Sequence, residues 1–323
     1  MGEIIRFVCP DCEKSQTERI NECIDNISKW VNSDALYKMV SIFGQSIPDF
    51  PLKDKIDWLN EFANEWDYRK KQAREGERWN VQEDPIARAS GDKILECVKC
   101  LGLENIESPI LLPDYILPLG GARLSNYARP LKARELIDIN GIQGKTVIAL
   151  SGTRPINEVE RPFMESFAPN AVTEFDAISK GLEKAFSLSE NKINEEYCKN
   201  DNINLEWAQR TYIEKYHDNA IISLAAPSSD PDRRANSRDT FEFFLNKFHI
   251  TNGDRVLLVT SCIYVPFQLL RFMDLAIEKG FYVDCVGMPN DDRKGTAFNY
   301  ISNYCQETKA TINAIKALSD KWL

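Results

Sequence analysis

Three short segments of this 323-residue chain combine small residues, hydroxyls and guanidinium groups: Gly120-Gly121-Ala122-Arg123, Ser151-Gly152-Thr153-Arg154, and Thr260-Ser261 followed by Tyr264. A fourth, SSDPDRRANSRDT, holds Arg233, Arg234, Ser237, Arg238 and Thr240. Small residues let backbone N–H groups approach an anion, and arginine suits bidentate contact with phosphate or carboxylate. The chemistry this pattern could perform is capture of a small anionic ligand. Its candidate contacts are Gly120, Gly121, Arg123, Arg129, Ser151, Gly152, Thr153, Arg154, Arg234, Ser237, Arg238, Thr240, Thr260 and Ser261. Acid–base work would fall to Asp239, Glu242, Glu160 or Tyr264, although Glu160 and Glu242 are equally placed to cap helix N-termini. Each arginine alone reads as a solvated side chain; recurrence across three loops points to a site.

Several chemistries lack their residues. GxGxxG and GxxxxGK[ST] are absent, so neither a dinucleotide fingerprint nor a Walker-type ATP loop is present. GxSxG is absent too, and the two histidines, His217 and His249, lie outside any nucleophile setting.

The glycine, hydroxyl and arginine segments each follow an apolar run. Tyr115–Leu119, Thr146–Leu150, Ala220–Ala225, Val256–Val259 and Phe281–Val286 are short, and Val256–Val259 is rich in β-branched residues. Helical spacing separates them, as in Val265–Ile277. The pattern predicts a three-layer α/β fold with a mostly parallel, five-stranded Rossmann-like sheet, whose ligands lie beyond the carboxyl ends of the strands. Between the second and third runs lies a long segment, 153–218. It predicts helices over Asp176–Phe186 and Leu205–Tyr216, with 187–204 as a polar surface loop or insertion.

Residues 1–105 carry helical periodicity only. Ile20, Cys23, Ile24, Ile27, Trp30 and Val31 form one stripe behind Ser15 or Thr17 as N-cap. Further helices are expected over Lys53–Arg74, closing in the turn REGER, over Pro85–Leu101, and over Thr296–Trp322. The expected organisation is a helical N-terminal domain or cap (1–105), an α/β domain (106–292) and a C-terminal helix (293–323).

A net charge of −9 argues against nonspecific binding to nucleic acid or anionic membranes. No apolar run approaches a membrane span, and the first residues carry neither a secretory leader nor a myristoylation pattern, Arg6 standing where Ser or Thr is needed. Nine cysteines, an odd number in a large chain, suit a reducing compartment, so a cytoplasmic protein is expected. Two CxxC pairs, Cys9 with Cys12 and Cys97 with Cys100, offer ligands for a structural zinc ion. Their separation of about 85 residues, against a usual 15–20, argues for ordinary core cysteines instead.

LPLGGAR, ALSGTRPINEVE, RANSRDTFEF and VTSCIYVPF, in that order, resemble the strand-end motifs of the DUF218 (YdcF-like) family over about residues 110–290. The resemblance implies a three-layer α/β fold and a nucleotide-like or S-adenosylmethionine-like ligand. It retains Ser237, Asp239, Thr240, Glu242, Thr260 and Ser261. It departs where Arg234 replaces an acid, Phe243 an asparagine, Tyr264 a histidine and Phe267 an arginine.

Three functions stay open. One is an enzyme, a hydrolase or transferase, acting on a small phosphorylated or nucleotide-type ligand. Another is a noncatalytic sensor using the same pocket. The third is a protein-interaction scaffold built on the N-terminal helices.

Overall fold

Ser15 and Glu18 set the first element by local chemistry alone. The Ser15 side chain accepts from the Glu18 N–H, while Glu18 accepts from the Ser15 N–H at 2.9 Å and its hydroxyl at 2.6 Å. This reciprocal cap starts α1, Gln16–Val31. The computed structural model describes residues 3–72, 83–104, 112–289 and 301–323. After α1 come α2 (Asp34–Ile42), α3 (Leu52–Phe62), α4 (Tyr68–Gln72), α5 (Pro85–Ala89) and α6 (Gly91–Cys100). There follow β1 (Tyr115–Pro118), α7 (Ser125–Asn140), β2 (Thr146–Ser151), α8 (Arg161–Met164) and α9 (Glu174–Phe186). Then come β3 (Ile193–Cys198), β4 (Trp207–Tyr212), β5 (Ala220–Ala225), α10 (Ser237–Lys247) and β6 (Arg255–Ser261). The last are α11 (Val265–Lys279), β7 (Tyr282–Met288) and α12 (Ile301–Trp322).

The chain divides into two compact units. One takes residues 1–106, 262–278 and 298–323, and its described regular elements are helices. Trp30, Leu36, Met39, Ile56 and Trp66 are fully buried there. The helix expected over Lys53–Arg74 is interrupted by a 3-10 turn, Ala63–Trp66, in which Phe62 meets Trp66 edge-on at 5.0 Å. Arg74 and the REGER turn lie outside the described residues. The helix expected over Pro85–Leu101 is two, α5 and α6, parted at Ser90. No helix among the described residues is long and apolar enough to cross a membrane.

The other unit, 107–261 with 279–297, holds a seven-stranded sheet of order β3-β4-β5-β2-β1-β6-β7. All five expected strands are present as β1, β2, β5, β6 and β7, and they pair in parallel. Five strands become seven because the segment read as a polar loop and a helix is the antiparallel hairpin β3–β4, paired through β4 to β5. Its polarity misleads because β3 is an exposed edge strand carrying Glu195 and Glu196, with Glu195 opposite Arg210. Charges on an edge are a strand device as much as a loop signature.

One face of this sheet presents Ile116, Val147, Ala149, Ile221, Leu257, Val259 and Val286 to a core shared with Ala133 and Ile137 of α7 and Ile178 and Leu182 of α9. Tyr115, one residue before Ile116, meets Phe244 of α10 with ring centres 5.7 Å apart, so α10 covers the opposite face. A Cβ at Gly181 would overlap the Asn126 carbonyl, so α9 and α7 touch backbone to backbone. That contact fixes the first turn of α7, on which the strand-end loops depend. The chain runs from β1 to β2 to β5 in one direction and returns to β6 on the other side of β1. The reversal between β1 and β6 is the place where open parallel sheets leave a crevice.

Candidate functional site

At the carboxyl end of β1 the turn is held by α7. Gly121 N–H donates to Asn126 Oδ1 at 3.0 Å, and Asn126 Nδ2 returns a bond to the Gly121 carbonyl at 2.8 Å. Arg129, 4% exposed, donates to the Leu119 and Gly120 carbonyls at 2.7 and 2.6 Å and to Ser261 Oγ at 3.3 Å. One buried guanidinium thereby ties the end of β1 to the end of β6 at the reversal point. A Cβ at Gly120 would run into Glu174 Oε1 and the Leu150 carbonyl, so glycine is required by a protein carboxylate already packed there.

That carboxylate belongs to a buried knot around Arg154. Its Nε donates to Glu174 at 2.6 Å, and its Nη1 and Nη2 donate to the two oxygens of Glu160 at 2.8 and 2.9 Å. Glu160 is fully buried and also accepts from the Asn157 N–H at 3.0 Å and the Arg123 N–H at 3.3 Å. Burial opposes the charge of Glu160, yet the Arg154 guanidinium and these N–H donors hold its carboxyl below the usual range. Burial likewise opposes the charge on Arg154, and its two carboxylates more than offset this, raising its pKa.

Arg123 behaves differently. Its backbone sits in the left-handed region at φ 57, and its guanidinium lies over the Phe163 ring at 3.9 Å. Burial draws its pKa down, with Glu160 only partly opposing. Phe163 and Glu174 escaped sequence reasoning; Glu174 announces itself only as the first residue of α9 behind the cap Thr173.

The loop after β5 closes on Asp239. This buried carboxylate accepts from both terminal nitrogens of Arg233, from the Ser229 N–H at 3.3 Å and from the Asn236 N–H at 2.8 Å. Asn236 Oδ1 in turn accepts from the Asp239 N–H at 3.2 Å, completing the capping box of α10. Burial works against the Asp239 charge, but Arg233 and the N–H donors pull its carboxyl well below the ordinary range. Arg238 pairs with Glu242 one turn on. Thr240 Oγ1 donates to the Asn236 carbonyl at 3.0 Å, Ser237 opens α10, and Arg234 is exposed.

The β3–β4 connection reaches the same loops. Thr153 Oγ1 donates to the Ile203 carbonyl at 2.8 Å, and Ser228 N–H donates to the Asn204 carbonyl at 2.6 Å. Asn202 and Asn204 each donate to the Pro231 carbonyl at 2.9 Å. Ala235 lies over Gly152, 3.8 Å from where a Cβ would be.

Thr260 and Ser151 are buried, Ser151 Oγ donating to the Leu224 carbonyl at 3.4 Å. Tyr264 is buried and belongs to the helical unit. Cys9, Cys12, Cys97 and Cys100 are all thiols, and no group of three or more His, Cys, Asp or Glu side chains among the described residues could hold a metal. Cys97 and Cys100 are one turn apart on α6, and Cys9 neighbours Cys23. A separate groove of about 680 Å³ runs between α9 and the β3–β4 hairpin. Its central charges are paired, Arg210 with Asp176 and Glu195, and Lys180 with Glu183 and Glu190.

Residues 14–102 match the family described as the Rv3785 N-terminal domain. The uncharacterized protein Rv3785 of Mycobacterium tuberculosis H37Rv is 28% identical over 341 residues, covering 98% of this chain and 95% of its own. The uncharacterized protein Mb3814 of Mycobacterium bovis matches to the same extent, 28% over 98% and 95%. No solved structure matches the chain. These similarities overturn the DUF218 resemblance: the family matched lies in the helical region that resemblance never reached, and the full-length relatives are Rv3785 proteins. Its motifs were short turns after apolar strands, which the geometry of any parallel sheet favours.

Proposed function

We propose that this chain binds a small anionic ligand, bearing phosphate or carboxylate, beside the loops that follow β1 and β2, and that binding rather than proton transfer is its task. The observation that carries this reading is Arg123. A non-glycine residue in the left-handed region costs about 1 kcal/mol and persists where its surroundings over-determine it. Here Glu160 holds the Arg123 N–H, while the guanidinium is laid across Phe163. Burial draws the pKa of this guanidinium down, so an anion arriving beside it would favour the charged form, whereas at Arg154 two carboxylates already do so. The Arg154 guanidinium is already matched by Glu160 and Glu174.

The carboxylates available for acid–base work support binding over turnover. Asp239 and Glu160 are held charged by arginine and backbone N–H groups, far from the near-neutral pKa of an effective general base. A panel of thermal melts at constant ionic strength tests the reading. Phosphate is expected to raise the melting temperature progressively above that in chloride or in a cation series. Indistinguishable melts across all anions would sink it.

A further inference from the structure

The β3–β4 tip has no role in the reading above, yet four hydrogen bonds seat it on the loops that follow β2 and β5. Two use its own backbone carbonyls: Ile203 accepts from Thr153 Oγ1 at 2.8 Å and Asn204 from the Ser228 N–H at 2.6 Å. The other two run from the Asn202 and Asn204 amides to the Pro231 carbonyl, each 2.9 Å. Asn202 Oδ1 also accepts from the Asn204 N–H at 2.9 Å, which shapes the 3-10 turn Ile203–Leu205. A connection of this length has no need of such anchorage merely to join two antiparallel strands. Meanwhile Ile203 is 42% exposed, although its backbone is pinned to a loop carrying Gly152, Thr153 and Arg154.

From this juxtaposition we infer that the tip is the specificity wall of the anion site, and that Ile203 contacts an apolar or planar group attached to the ligand's anionic head. This rests on the anion-binding reading and narrows it. The preferred ligand is an organic phosphate or carboxylate with an apolar or planar body, not an inorganic anion and not an anion on a polyhydroxyl chain. The chemistry follows from the division of labour. The Arg123 guanidinium after β1 recognises charge only. An exposed branched aliphatic residue, its backbone pinned to Thr153 of the β2 loop, gains by losing water to a flat apolar surface. Covering the exposed part of one such side chain is worth roughly a fivefold to tenfold gain in affinity.

The test is a set of calorimetric titrations with inorganic phosphate, glycerol 3-phosphate and phenyl phosphate, using wild type, Ile203→Asn and Ile203→Leu. The wild type is expected to bind phenyl phosphate five to ten times more tightly than the other two. Ile203→Asn should erase that preference while leaving the affinity for inorganic phosphate unchanged, and Ile203→Leu should retain it. Thr153→Val, which removes the tip's anchor to the β2 loop, should weaken the preference with Ile203 intact. Equal binding of all three phosphates by the wild type would overturn the inference and leave the anion site standing. So would a preference that survives in Ile203→Asn. Failure of the wild type to bind any of them would overturn the anion site itself, and the inference with it.

Discussion

Two arginine–carboxylate knots stand at the carboxyl ends of the strands, and they differ in kind. Around Arg154 the charges are deeply buried: its side chain is 14% exposed, Glu160 is 0% and Glu174 is 12%. Around Asp239 the carboxylate is buried but its arginine, Arg233, lies 38% open to solvent. The first knot locks two loops to each other through a desolvated network. The second closes one loop on itself and caps the helix that follows. A guanidinium that looks like an anion receptor in sequence can thus already hold the protein's own anions. Two carboxylates draw the pKa of Arg154 up, whereas burial draws that of Arg123, laid over Phe163, down, and the proposed binding turns on that contrast.

Substitutions can break this comparison, beginning with the strongest. Glu160→Ala leaves Arg154 and two N–H groups without their buried partner and is expected to cost about 3–5 kcal/mol in chemical denaturation. A loss under about 1 kcal/mol would mean that the knot is not the lock described. Asp239→Asn, by removing charge from a buried cap, should cost about 2 kcal/mol.

The pH dependence sharpens the same contrast. Both carboxyls lie below their ordinary range in the folded protein. Their contribution is therefore present above the unfolded carboxylate pKa of about 4 and is lost as pH falls through that value toward the lowered folded one. Urea midpoints measured from pH 6 to pH 3 should fall steeply for wild type and less steeply for Asp239→Asn; parallel curves would contradict the assignment. Smallest of all, Arg238→Ala breaks a half-exposed pair within one helix and should change stability by no more than about 0.5 kcal/mol.

How much of this was legible in the sequence depends on the range of the interaction. Each of the five parallel strands announces itself as an apolar run bounded by turn residues, and the Ser15–Glu18 cap can be read from four consecutive positions. The hairpin could not be read that way. Its pairing of Glu195 with Arg210 and its exposed edge make a polar stretch that periodicity assigns to loop or helix. The partners of the arginines were hidden for a related reason. Glu174 lies twenty residues beyond Arg154 across an irregular segment, and only the folded chain brings it against Gly120. Asp239 carries the signature of a capping box, yet its bond to Arg233 depends on how the loop turns back. The tip at Ile203 gave no signal, because two of its four anchors are backbone carbonyls and the other two are asparagine amides that read as ordinary loop residues.

The most direct test of the central claim is phosphate titration of wild type and Arg123→Gly, paired with the unfolding free energy of each. Glycine accepts the left-handed backbone without strain, so Arg123→Gly should fold with stability within about 1 kcal/mol of wild type. The account expects its phosphate affinity to fall at least tenfold all the same. Unchanged affinity in a stable Arg123→Gly protein would contradict it.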